Sequence, residues 1–151
     1  MLFKNKTIPA AIFAIICLFG CVSTGAISDI QGKEWILEEF SIGGKTTRIN
    51  RSNDFGLDEF YTLTFEDGRI NGIGAPNRYF GTFTAGSGSS LTFGQLGQTR
   101  MFSFIEPEEL KEHEYMSFLG AVTGWKLRVG KLELYSKNED GSEVVLVFSE
   151  K

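Results

Sequence analysis

The chain has 151 residues, 42% of them hydrophobic, with 15 basic and 19 acidic side chains and a formal net charge of −4. That length suits one domain with a real core, and the acidic balance argues against nucleic acid, whose binders neutralise phosphates. Its two cysteines, Cys17 and Cys21, both lie near the N-terminus, so the body of the chain has no material for a disulfide.

Lys4 and Lys6 precede an apolar run over residues 8–19. A bilayer-spanning helix needs about 20 apolar residues. This shorter run, with its positive start and a small residue at its end, has the anatomy of a secretory signal. It closes on Leu18-Phe19-Gly20-Cys21, which resembles the lipobox of bacterial lipoproteins. That resemblance implies diacylglycerylation of Cys21, cleavage just before it and acylation of the new amine. The alternative is an ordinary signal with an incidental cysteine, since Phe19 is bulkier than that position usually holds. On the lipoprotein reading the chain divides into a signal peptide (1–20), a lipidated N-terminus and tether (21–29) and a folded domain (30–151). Loss of Lys4 and Lys6 leaves 13 basic against 19 acidic side chains, a net of −6. Membrane attachment then rests on acyl chains, of which two or more anchor stably.

From Trp35 onward the apolar residues mostly alternate, the period of half-buried strands. Tyr61, Leu63 and Phe65 alternate with Thr62, Thr64 and Glu66, and Asp67-Gly68 supplies a hairpin turn before Arg69-Ile70. Residues 79–84 and 91–93 flank Gly86-Ser87-Gly88-Ser89-Ser90, a loop tip. One segment breaks the rhythm. Glu106-Pro107-Glu108-Glu109 puts proline and acids where a helix's first turn favours them. Tyr115, Phe118, Leu119 and Val122 then share one helical face, predicting a helix over about residues 107–122 that Gly124 can end. Trp125, Leu127 and Val129 alternate again with Lys126 and Arg128, and Leu132 and Leu134 follow Gly130. Asn138-Glu139-Asp140-Gly141 turns the chain into a closing strand over 144–148. The predicted architecture is mainly β: a small antiparallel, β-barrel-like curved sheet with one packed α-helix over an opening or edge.

Six fragments carry a family resemblance: Gly32-x-x-Trp35-x-Leu37, Thr64-Phe65-Glu66-Asp67-Gly68-Arg69-Ile70-Asn71-Gly72, Asn77-Arg78-Tyr79-Phe80-Gly81, Thr99-Arg100-Met101, Leu132-x-Leu134 and Leu146-x-Phe148. With the acidic helix between them, their order and spacing resemble the META domain family over nearly all the mature chain. The resemblance implies a lipocalin-like barrel topology, a place in the cell envelope, a part in stress or antibiotic tolerance, and no established catalytic reaction. Many members carry a cysteine just before the Asn-Arg-Tyr/Phe motif and another two residues after Thr-Arg-Met. Here those places hold Pro76 and Ser103, as loss of a cross-link as a unit would leave them. Pro76 fixes its own backbone torsion instead.

Few residues offer chemistry. His113 is the only histidine and points away from the helix's apolar face. Its simplest reading is solvated surface, with a general base or ligand as the alternative. Nucleotide and hydrolase motifs are missing, and Gly72-x-Gly74 and Gly86-x-Gly88 are fragments that turn geometry explains. Glu106, Glu108, Glu109, Glu112 and Glu114 read as capping and a solvated acidic face. Asn53-Asp54 with Asp58-Glu59 matches no complete calcium loop. Asn77, Arg78 and Tyr79 form the candidate partner or ligand loop. Their structural alternative is that asparagine satisfies a tight turn, arginine lies over aromatic surface and Gly81 permits close strand approach. Phe55, Phe60, Phe83, Phe93, Phe102 and Phe104 are expected either to fill the core or to line a small apolar cavity. The sequence thus predicts no catalytic residues, no metal and no cofactor. It predicts a domain held on the membrane by lipid on Cys21, with an envelope protein partner and no nucleic acid. The place expected is the outer membrane facing the periplasm, because Val22 stands where aspartate often signals inner-membrane retention.

Overall fold

The computed structural model describes residues 25–51, 59–101 and 106–151. Its strands are β1 (Glu34–Ile42), β2 (Lys45–Arg48), β3 (Thr62–Glu66), β4 (Arg69–Ile73), β5 (Arg78–Ala85), β6 (Leu91–Phe93), β7 (Gly97–Gln98), β8 (Gly124–Arg128), β9 (Lys131–Lys137) and β10 (Glu143–Glu150), with helix α1 (Glu112–Gly120) between β7 and β8. The sheet runs β6-β5-β4-β3-β1-β10-β9-β8 with antiparallel neighbours, while β2 adds to β1 and β7 to β5. Its two edges nearly meet. Ser90 bridges Gly124, Leu91 N–H donates to the Thr123 carbonyl (3.2 Å) and Trp125 N–H to that of Ser89 (2.9 Å). The result is the nearly closed antiparallel barrel with one helix that the alternation predicts.

Alternation decides which side chains face inward, and one irregularity keeps β1 in step. Trp35 and Leu37 face the core, and so does Phe40, three residues on. On β10 their partners Phe148 and Leu146 are two apart. The extra residue forms a β-bulge at Glu38, which switches the inward set from odd to even numbers. Phe65, Ile70, Leu132, Leu134, Val144, Leu146 and Phe148 complete an interior in which each is fully buried. Phe60, Phe83 and Phe93 pack on the periphery of this core rather than inside it, the latter two flanking Phe65 at 5.3 and 6.0 Å between ring centroids. Phe55, Phe102 and Phe104 lie outside the described residues.

The structure departs from the sequence reading at four places. The helix is shorter than 107–122 because the chain before it is committed elsewhere. Pro107 and Leu110 are buried, Tyr61 Oη donates to the Leu110 carbonyl, and Lys111 is extended at φ −83°, ψ 150°. The Glu114 carboxylate accepts the Lys111 N–H (2.8 Å) and Glu106 accepts that of Glu112, so side chains satisfy donors that no preceding turn reaches. Gly124 opens β8 instead of ending the helix. The predicted face is nonetheless the buried one, with Val122 buried just beyond the helix. Second, Val129 does not continue the β8 alternation. It forms the β8–β9 turn with Gly130 at φ 49° and 74°, the left-handed pair that a two-residue hairpin requires. Third, β2 had no apolar rhythm to reveal it, because its lysine, threonines and arginine are largely exposed. Last, residues 25–29 of the expected tether are folded onto the barrel. Ile27–Asp29 make a 3₁₀ turn, Ile27 packs on the core, and Gly25 sits so close to β8 that a Cβ there would lie 3.3 Å from that of Leu127.

Strand directions define two ends. The helix lies across the end where β3 and β5 begin and β9 finishes, with Ser136 Oγ donating to the Phe118 carbonyl (2.6 Å). The β8–β9 tip stands at the other end.

Candidate functional site

The segment 77–81 enters β5 at the helix end, and strand geometry sorts it side by side. Asn77, Tyr79 and Gly81 are buried while Arg78 and Phe80 face outward. Asn77 is a hydrogen-bond knot. Its backbone N–H and its Nδ2 donate to the two oxygens of the Glu112 carboxylate, each at 2.7 Å, and Nδ2 also reaches the Met101 carbonyl (3.3 Å). Its Oδ1 accepts from Met101 N (2.6 Å) and Thr99 Oγ1 (3.0 Å). Glu112 takes a third bond from Ala75 N (2.7 Å), and its oxygen occupies space that only a glycine at 74 leaves open, 2.5 Å from where a Cβ would be. The turn before β5, which includes a cis Ala75–Pro76 peptide, is thereby tied to the start of the helix and to the chain after β7.

Behind this knot three phenols are buried. Tyr79 Oη donates to the Thr62 carbonyl (2.6 Å) and lies 3.1 Å from Tyr115 Oη. Tyr61 packs on Tyr115 with centroids 4.7 Å apart. Gly72 is required here, since a Cβ would fall 2.0 Å from the Thr62 carbonyl oxygen and 2.6 Å from Tyr79 Oη. Burial pushes all three phenols well above the ordinary tyrosine value of 10.0. For Tyr61 the charges of Glu106, Glu112 and Glu114 add to the effect, and for Tyr79 the Tyr115 hydroxyl opposes it.

The outward residues make a different surface. Across β5, β4, β3 and β1 the register aligns Phe80, Asn71, Thr64 and Glu34. With Arg78 and Ile73 they line a groove of about 300 Å³. Phe80 is 53% exposed and lies over Gly97, where a Cβ would meet its ring at 2.8 Å. Arg78 makes no ion pair among the described residues. A wider groove of about 560 Å³, lined by Phe93, Leu96, Met116 and His113 among others, runs beside the helix.

Of the three residues singled out in the sequence, then, two hold the fold and Arg78 alone is accessible. His113 is exposed, as its helical position predicts. Glu112, read as part of a solvated face, is half-buried and holds three donors. The signal that marks it is Gly74, a small residue that the adjoining turn does not itself need. Among the described residues no three His, Cys, Asp or Glu side chains gather to hold a metal ion. Of the weak calcium candidates only Glu59 is described, and Cys21 and Ser103 also lie outside the described residues. Asn77 and Met101 are nevertheless bonded side by side, so the chain next to Pro76 runs beside Met101.

Fold and site define a small antiparallel barrel domain whose motif residues clamp a single helix to one end. The META domain family model matches residues 28–151, and the chain belongs to the META domain family. Among solved structures it is similar to one titled as the NMR structure of the protein from Burkholderia xenovorans, at 25% identity and a TM-score of 0.59, covering 82% of this chain and 85% of that one. No curated protein matches it significantly.

Proposed function

We propose that this META domain is a lipid-anchored, non-enzymatic factor of the cell envelope. On this reading it is held at the outer membrane through Cys21, faces the periplasm, and serves stress or antibiotic tolerance by binding a protein partner. The observation that carries the partner over the cargo is the division of side chains in the segment 77–81. The inward positions, with Trp35, Tyr61, Phe65, Tyr115 and Phe148, place large side chains in the barrel interior, where they are expected to pack at normal density. The outward ones leave an exposed aromatic and a cation with no ion pair among the described residues together on a grooved face, a composition suited to protein contact. A lipocalin-like carrier of a small hydrophobic ligand would need the interior space those rings occupy.

The test is photo-crosslinking in intact cells from a reactive residue placed at Phe80, in the anchored protein and in a soluble form with residues 1–21 replaced by a cleavable secretory signal. Anchoring raises effective concentration near envelope components without a new contact. The anchored protein should therefore yield a discrete adduct that Arg78→Ala diminishes, His113→Ala spares and the soluble form largely loses. Stoichiometric binding of hydrophobic probes by the purified domain, with full cellular function of the soluble form, would establish a carrier instead.

A further inference from the structure

Among the described residues, the β8–β9 tip is the one place where a large apolar side chain stands completely clear of the fold. Val129 is fully exposed and sits at φ +49°, where β-branched residues are outliers and where asparagine or glycine suits both turn and water. Arg128 and Lys131 face each other across the tip. They reach back to Glu133 (3.7 Å) and Glu38, yet about half of each basic side chain stays exposed.

The N-terminal segment comes in at this same place. Gly25 packs against Leu127, two residues before Val129. Cys21 is four residues before Gly25, a reach of at most about 14 Å, and the strand from Leu127 to Val129 adds about 7 Å. With the contact between Gly25 and Leu127 included, a chain acylated at Cys21 therefore holds this tip within about 25 Å of its lipid attachment. The helix end, with the acidic turn of Glu139 and Asp140, points the other way.

We propose that the β8–β9 tip is a membrane-contact loop. Val129 seats among the headgroups of the membrane that holds Cys21, and Arg128 and Lys131 lie against lipid phosphates. The acyl chains supply the affinity. The tip fixes orientation, directing the helix end away from the bilayer. This rests on the lipid-anchor reading.

A single-thiol experiment tests it. With Cys17 removed and Cys21 acylated, a cysteine introduced by Val129→Cys is the only free thiol of the mature protein, and Glu139→Cys gives the matching control at the opposite end. Each full-length lipoprotein is labelled with an environment-sensitive fluorophore and reconstituted in phosphatidylethanolamine–phosphatidylglycerol vesicles containing a spin-labelled quencher lipid. Acyl mass and vesicle flotation are measured first. The expected result is a blue-shifted probe at 129, quenched severalfold more than the probe at 139. Charge reversal by Arg128→Glu with Lys131→Glu should bring the two quenching values together. An acylated, floating protein whose probe at 129 stays water-like and is quenched no more than that at 139 overturns the contact while leaving the anchor standing. A mature protein with no acyl mass that fails to float overturns the anchor, and the contact with it.

Discussion

The two ends of the barrel solve the problem of ending a strand in opposite ways. At the helix end the chain enters β5 through a turn whose polar atoms are met by distant residues: Asn77 and Ala75 by Glu112, Asn77 again by Thr99 and Met101. At the other end β8 turns into β9 through Val129 and Gly130, on hairpin geometry alone, with an apolar side chain in water. Burial explains the contrast. A polar group removed from water costs about 1–3 kcal/mol if left without a partner, so the helix end must close its network completely. The exposed tip carries no such obligation, and its side chain is free to serve a surface.

The sharpest way to break the helix end without touching the other is alkali. Three phenols lie behind the Asn77 knot with values raised by burial above 10.0. The sign follows from linkage. Below the unfolded value of about 10 both states keep the proton and the full stability is present. Above it the unfolded chain ionises while the folded chain does not, and stability falls as pH rises. Three such groups give a limiting slope of about 4 kcal/mol per pH unit, so two units remove about 8 kcal/mol, a large part of the 5–15 kcal/mol typical of a domain. Denaturant melts between pH 9 and 12 should show this loss, to which Tyr135, raised to about 12 by burial and its bond to Glu133, also contributes, and Tyr61→Phe should lower the slope by about 1.4 kcal/mol per pH unit. A flat profile would mean that the phenols reach solvent.

Asn77→Ala is next in size. It leaves part of the Glu112 carboxylate and the Met101 N–H without partners, for a loss of about 3–4 kcal/mol in urea unfolding of the soluble domain. Glu112→Gln should cost less, about 1–2 kcal/mol, because one oxygen remains for the backbone donors while the new amide meets Asn77 Nδ2 donor to donor. Additive losses in the double variant would deny that the two residues form one unit.

The two ends also differed in how far the sequence revealed them. Strands β3, β4, β5, β9 and β10 were legible because inward residues recur at period two, and the Asp67-Gly68 hairpin because its residue types suit left-handed torsions. Period and burial coincide in such elements. The helix was legible in its face and not in its length, since Leu110 and Lys111 are held in place by Tyr61 and Glu114 and no local propensity encodes that. The Asn77 knot joins residues 24 and 35 apart in sequence. The motif marked the asparagine, but the role of Glu112 depends on which strand the helix lands beside. The Val129 turn was hidden for a simpler reason. Valine is a strand-former placed where the backbone demands a residue without a branched Cβ, so local pattern pointed the wrong way.

That conflict supplies the smallest and most discriminating prediction. A left-handed torsion costs an L-residue roughly 1–2 kcal/mol, and Val129 recovers none of it through packing because its side chain is wholly exposed. Val129→Asn places the favoured Asn-Gly pair in the hairpin. It should raise the stability of the soluble domain by about 1 kcal/mol, read as a higher urea midpoint at unchanged slope. Reduced stability would show that the valine makes a contact within the fold. If the tip is the membrane-contact loop proposed above, the same change in the acylated protein takes the apolar group away from the headgroups, so the barrel should tilt more freely and expose its helix end less uniformly to a protease added outside the vesicles. On that proposal one substitution stabilises the domain while loosening its contact with the bilayer. At the helix end, by contrast, Asn77→Ala should weaken the fold in solution and on the vesicle alike.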